Sequence, residues 1–263
     1  MTPDAPPRVA LPASFLTLPI AHRAYHDRAA GRPENSRAAV RAAVAAGYAI
    51  EIDLQLSSDG VAMVFHDHDL SRLTGASGAV RRHSAAALGA IALHDADDGI
   101  PTFVEVLSLV AGRVPLLVEI KDQDGAMGPG VGPLETAAAA DLEGYAGPVA
   151  VMSFNPHSVA EFGRHAPHLP RGLTTSAFRP DDWAPLPPAV CDRLRDIPDY
   201  DAVGASFLSH EARDLDRPRV ADLVADGADL LCWTIRSPEA EAVARRIARN
   251  ITFEGYPATL PAG

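Results

Sequence analysis

Short apolar runs alternate with Ala-rich stretches of helical periodicity along most of the chain. Runs at 20–24, 49–55, 61–65, 116–120, 149–154, 172–175, 203–207 and 230–235 have the length and apolar character of buried strands. The stretches at 35–47, 102–110, 133–142, 156–164, 213–225 and 238–249 read as helices. Asn35 or Ser36 is a natural cap for the first of them, and Gly47 a natural stop. Strand and helix in alternation build parallel βαβ units. Eight strands in 263 residues favour an α/β fold, a closed TIM (β/α)8 barrel, over an open doubly wound sheet. A single domain over residues 1–263 is expected, with two extended loops. Residues 66–101 form an insertion or lid after the third strand, and 176–198 form a second excursion rich in Pro and Asp.

Charge narrows the range of partners. The net charge of −11 argues against wrapping nucleic acid or lying stably on an anionic membrane, since both need clustered Lys and Arg. A small anionic substrate remains compatible, because a bound cation reverses the local field. The two cysteines, Cys191 and Cys232, form neither a disulfide framework nor a zinc site. No run reaches the ~18 apolar residues of a spanning helix. The stretch 9–20 resembles a signal peptide only weakly, since Asp4, Pro12 and Pro19 interrupt the pattern. A cytoplasmic location is expected, and the oligomeric state is open.

The chemistry collects at strand ends. His22-Arg23 follows the first strand, Glu51-Ile52-Asp53 lies in the second, His66-Asp67 follows the third, and Glu119-Ile120-Lys121 closes the fourth. Residues two apart in a strand share a face, so Glu51 points with Asp53 and Glu119 with Lys121. In a barrel that shared face can be inward, near the C-terminal rim where catalytic groups gather. Acids set among Ile50, Ile52, Leu54, Val118 and Ile120 need partners, and a cation serves best. Three carboxylates make an all-oxygen site suited to Mg²⁺ or Ca²⁺, with Mn²⁺ also possible. Lys121 is the only lysine, against 22 arginines, and it stands beside Glu119. A compact ammonium fits between a metal and a phosphate where a guanidinium does not. Three carboxylates and one divalent cation leave a net −1, which Lys121 and Arg23 turn to +1, suiting a phosphodiester monoanion. Two histidines can then act as base and acid across one phosphorus.

The ordered set His22-Arg23, Pro33-Glu34-Asn35-Ser36, Glu51-Ile52-Asp53-Leu54, Ser58-Asp59-Gly60, Val64-Phe65-His66-Asp67, Pro101-Thr102-Phe103, Glu119-Ile120-Lys121, Ser153-Phe154 and Trp233-Thr234 resembles the glycerophosphodiester phosphodiesterase family over nearly the whole chain. The resemblance implies that a small-molecule glycerophosphodiester is hydrolysed to an alcohol and glycerol 3-phosphate. It implies an acid–base pair in His22 and His66, metal ligands in Glu51, Asp53 and Glu119, and phosphate-binding cations in Arg23 and Lys121. Asn35 matches the polar residue beside the first histidine, and Trp233 an aromatic wall of the substrate pocket. The chain departs from the family pattern at Ala24-Tyr25-His26-Asp27, at Arg236, and at Phe253-Glu254, where the family usually has Thr-Asp. Three other readings compete. One is a phospholipase-type phosphodiesterase acting on lysophospholipids. Another is an amidohydrolase, suggested by the H-x-H of His66-Asp67-His68. The last is a phosphoester-binding barrel without activity.

Overall fold

A computed structural model describes residues 7–96 and 98–261. Its strands are β1 (Ile20–Ala21), β2 (Ala49–Leu56), β3 (Ala62–Val64), β4 (Leu116–Ile120), β5 (Val149–Ser153), β6 (Arg171–Thr175), β7 (Phe207–Glu211), β8 (Asp229–Ile235) and β9 (Asn250–Phe253). Neighbours follow the order β1-β9-β8-β7-β6-β5-β4-β2, and β1 pairs with β2 to close the ring. All of these pairings are parallel. The result is the closed eight-stranded TIM barrel that the sequence predicts.

The membership of the ring differs from the sequence reading at two places. Residues 61–65 are not a barrel strand: β3 runs antiparallel to β2 as the arm of a hairpin. The turn between them holds Ser58-Asp59-Gly60, with Gly60 at φ 83°, and such an Asp-Gly turn reverses the chain. The missing ring member is β9, just past the stretch 238–249 read as helix. Its four residues alternate, with Asn250 and Thr252 on the lumen face while Ile251 and Phe253 pack outward. A continuous apolar signal is therefore absent. The seventh ring strand also begins at Phe207 rather than at 203, because Val203 and Gly204 complete a turn onto Asp199 and Asp201.

The helices are α1 (Ser14–Thr17), α2 (Arg37–Ala46), α3 (Ala85–Gly89), α4 (Phe103–Val110), α5 (Pro133–Asp141), α6 (Pro156–His165), α7 (Pro188–Arg195), α8 (Pro218–Ala225) and α9 (Pro238–Ala244). Local chemistry sets their ends. Ser36 caps α2 by accepting from Ala39 N–H, and Gly47 ends it at φ 78°. Thr102 and Glu105 form a capping box on α4. Proline opens α5 to α9, where its missing N–H costs nothing. For the same reason the expected helix 213–225 is split: Pro218 restarts it after a short 3₁₀ turn at Ala212–Asp214.

Three packed regions hold the barrel. One joins α2, α4 and α5 to β2 and β4, and another joins α8 and α9 to β7, β8 and β9. The third fills the lumen from below with Ile20, Leu117, Ala150, Phe207 and Leu231, and is plugged by Leu11 and Phe15. Asn250 ties that plug down by donating to the carbonyls of Phe15 (2.7 Å) and Leu18 (2.6 Å). Gly172 makes room for the Phe207 ring, which would lie 2.5 Å from an added Cβ. Gly172→Ala is accordingly expected to destabilise the fold by ~1–3 kcal/mol. Denaturant unfolding checks this, and adding Phe207→Leu should recover most of the loss.

Both long excursions contain structure. In the first, Leu70, Leu88 and Ile100 form a small core with Met63 and Phe65. The second excursion contains α7, whose Cys191 and Leu194 pack with Phe178 and Leu186. Cys232 is a buried core thiol in β8, pushed up to about 12 by burial.

Candidate active site

Strand alternation builds the centre. Glu51 and Asp53 project from the same face of β2, and Asp53 is the register partner of Glu119 on β4. All three side chains are buried, and an oxygen from each lies within 4.8 Å of the others. Lys121, just past β4, stands 2.7 Å from Asp53 Oδ1 and also bonds Glu119. Asn35 donates to Asp53 Oδ2 at 2.8 Å and accepts from the Asp53 backbone N–H at 3.3 Å. The Arg23 N–H donates to Glu51 Oε2 at 2.8 Å. Arg23 and Asn35 both adopt positive φ, at 50° and 58°, and a 2.9 Å hydrogen bond from Asn35 N–H to Arg23 carbonyl joins them. The two loops are thus locked so that their polar groups face the acids.

The charges are out of balance. Burial and the nearby Asp53 and Glu119 push Glu51 well above the usual carboxylate range. Burial acts the same way on Asp53, but Lys121, His66 and Arg23 outweigh it and hold Asp53 well below that range. Glu51 Oε1 is buried with no hydrogen-bond partner. The cluster is short of positive charge on one side, the arrangement a cation would complete.

The histidines are held alike. His22 follows β1 and places Nδ1 2.5 Å from Glu254 Oε2. His66 follows β3 and places Nδ1 2.6 Å from Asp67 Oδ1. Each therefore keeps Nε2 for the cavity they both line. Arg72 bonds Asp67 at 2.5 Å and Glu34 at 2.8 Å, and Glu34 bonds Arg23 at 2.8 Å. This chain of ion pairs runs from one histidine to the arginine beside the other. His68 lies in an adjoining groove, beside the charge of Asp122. Among the described residues the candidate metal cluster contains Glu51, Asp53 and Glu119 and no histidine.

The cavity, of about 160 Å³, is also lined by Glu51, Glu119, Lys121, Phe154, Trp233 and Arg236. Trp233 is fixed by its indole N–H donating to the Ser209 carbonyl at 3.0 Å, and its ring meets Phe154 edge-on at 5.5 Å. Asn35 does not line this cavity. It hydrogen-bonds Asp53 instead. A larger groove of about 530 Å³ shares His66, Glu119 and Phe154 with the cavity and continues past Met127 and Trp183. Sequence reasoning did not assign Met127, Trp183 or the contact of Glu254 with His22. Glu254 was visible only as a departure from the family pattern.

A model of the glycerophosphoryl diester phosphodiesterase family matches residues 22–252. The chain belongs to this family. As a member it is an enzyme, a phosphoric diester hydrolase. It is 31% identical over 175 residues to a glycerophosphodiester phosphodiesterase of Caldanaerobacter subterraneus, covering 64% of this chain and 70% of that relative. It also resembles an Oleispira antarctica phosphodiesterase solved in complex with the product sn-glycerol-3-phosphate. That match has a TM-score of 0.75 and 25% identity, covering 93% of this chain and 95% of the other. A glycerophosphodiester phosphodiesterase from Thermotoga maritima shares the fold at TM-score 0.66 and 21% identity, over 90% of this chain and 94% of that one. Among the described residues no helix is long and apolar enough to cross a membrane.

Proposed function

We propose that this family member hydrolyses glycerophosphodiesters to an alcohol and glycerol 3-phosphate, using a divalent cation and a His22/His66 acid–base pair. The observation that carries the reading is the buried acid triad with its unpartnered Glu51 oxygen, beside two histidines that share one cavity. Glu51, Asp53 and Glu119 would hold the cation, whose hard, all-oxygen ligand set suits Mg²⁺, Ca²⁺ or Mn²⁺. Once bound, it would neutralise charge on the phosphoryl oxygens. Lys121 and Arg23 add positive charge at the same place.

In the proposed route, one histidine takes the proton from a glycerol hydroxyl adjacent to the phosphate. The hydroxyl oxygen bonds to phosphorus, the bond from phosphorus to the leaving alcohol breaks, and the other histidine protonates the departing oxygen. The adjacent hydroxyl is tethered, so its effective concentration far exceeds that of water. The product is a cyclic phosphate, which water opens with the histidine roles reversed. A substrate with hydrogen in place of the glycerol hydroxyls tests this route. It should bind but be cleaved slowly or not at all, and cleavage at the normal rate would leave direct attack by water.

The rate should also depend on pH in a definite direction. Burial lowers the pKa of His22 and, with the nearby Arg23 charge, outweighs the opposing pull of Glu254 and Asp53. A base must be neutral, so activity is lost as pH falls through that lowered value. The acid limb of kcat/KM should then lie below the ordinary imidazole range near pH ~6.5. A limb above it would argue against His22 as the resting base.

The groove past Met127 and Trp183 favours a second reading, in which the substrate carries an apolar portion, as in a lysophospholipid. A panel of glycerophosphocholine, glycerophosphoethanolamine, glycerophosphoglycerol, glycerophosphoinositol and a lysophospholipid, assayed with Mg²⁺ and then Ca²⁺, tests both readings.

A further inference from the structure

We propose that Glu254 is a positioning residue that fixes His22 in the tautomer protonated at Nδ1, and that Arg236 holds Glu254 in place for that task. The inference rests on the acid–base reading of His22. A carboxylate only accepts hydrogen bonds, so a 2.5 Å contact to Glu254 Oε2 requires His22 Nδ1 to be the donor. Nε2 then carries the lone pair toward the cavity, as a base needs. When His22 gains a proton, the same carboxylate stabilises the imidazolium.

The backbone brings this contact together from opposite ends of the chain. The His22 N–H donates to the Phe253 carbonyl at 2.9 Å, and the Glu254 N–H donates to the Ile235 carbonyl at 2.9 Å. Glu254 is therefore pinned where β1, β8 and β9 meet at the rim. Its other oxygen is taken by Arg236, with Nε at 2.8 Å and Nη2 at 2.7 Å from Oε1. Oε2 is left to His22, with His26 Nε2 3.6 Å away. The His22 and Glu254 side chains are only 14% and 19% exposed, so water competes little for the bond. His66, Asp67 and Arg72 repeat the pattern of histidine, carboxylate and arginine within one short segment. At His22 the same pattern is assembled by residues distant in sequence.

Glu254→Gln is the direct test on the intact, metal-supplied enzyme with glycerophosphocholine. Gln can present either its oxygen or its NH₂ group, so the choice of tautomer is lost. The expected result is a fall in kcat of about 10²-fold, with KM within about threefold of the parent. Glu254→Asp keeps an acceptor-only group and should recover part of the loss, and Arg236→Ala should cost less than Glu254→Gln. Nitrogen NMR of the unmodified enzyme gives an independent reading, with His22 assigned by difference from His22→Asn. It should show Nδ1 protonated and Nε2 bare at neutral pH. An Nε2-protonated His22, or a kcat unchanged in Glu254→Gln, overturns the proposal. So does equal damage to kcat, KM and thermal stability with no recovery in Glu254→Asp. If His22→Ala itself keeps full activity, the acid–base reading fails instead, and the NMR result still decides the tautomer.

Discussion

His22→Ala and His66→Ala are each expected to lower kcat by roughly 10²–10⁴ while the fold survives. Both rings line the cavity that Glu51 and Glu119 also line, and both engage a carboxylate through Nδ1. Removing either one deprives a proton transfer of its carrier but leaves the barrel wall intact, because the lumen is packed from below by a separate apolar layer. Circular dichroism and a thermal melt establish that the fold persists, and steady-state kinetics measure the loss. The two nearby histidines serve as controls. His68 lies in the adjoining groove, and His26 lies 3.6 Å from Glu254 without lining the cavity. His68→Ala and His26→Ala should therefore be far milder. If His68→Ala proved as damaging as His66→Ala, the assignment of the acid–base pair would have to change.

Exhaustive chelation should abolish turnover, and Mg²⁺, Mn²⁺ or Ca²⁺ should restore it. The reason is the charge balance within the acid triad. Three buried carboxylates converge there, Lys121 bonds two of them, and Glu51 keeps one oxygen without a partner. Burying that much uncompensated charge is unfavourable, and a divalent cation removes the imbalance. Metal should therefore also raise the melting temperature, through binding to the folded state alone. Glu119→Ala should lose both activity and tight metal binding, by calorimetric titration as well as by assay. Full activity after EDTA dialysis, or an unchanged metal affinity in Glu119→Ala, would sink the assignment of the triad.

Much of this was legible in the chain itself, and the reason is periodicity. Residues two apart on a strand must share a face, so Glu51 with Asp53 was readable as a pair before any fold was known. Their apolar neighbours marked them as buried, and burial implied a counter-charge. The lone Lys121 pointed to the same place, and the structure puts it between Asp53 and Glu119. Helix starts were equally local: Ser36, Thr102 and the helix-opening prolines act within a single turn. What could not be read depends on contacts between distant residues. β3 and β9 exchange roles relative to the pattern because ring closure, not hydrophobicity, decides which strand pairs with β1. Asn35 reaches Asp53 through a loop in which it and Arg23 both adopt left-handed backbone and bond each other. Composition and spacing by themselves determined the class of fold and singled out the candidate acids, lysine and histidines, since these follow from patterns along one strand or one turn. Only the tertiary structure decided that Glu254 meets His22 across 232 residues of sequence, because the barrel must close before β9 can bring that carboxylate beside β1.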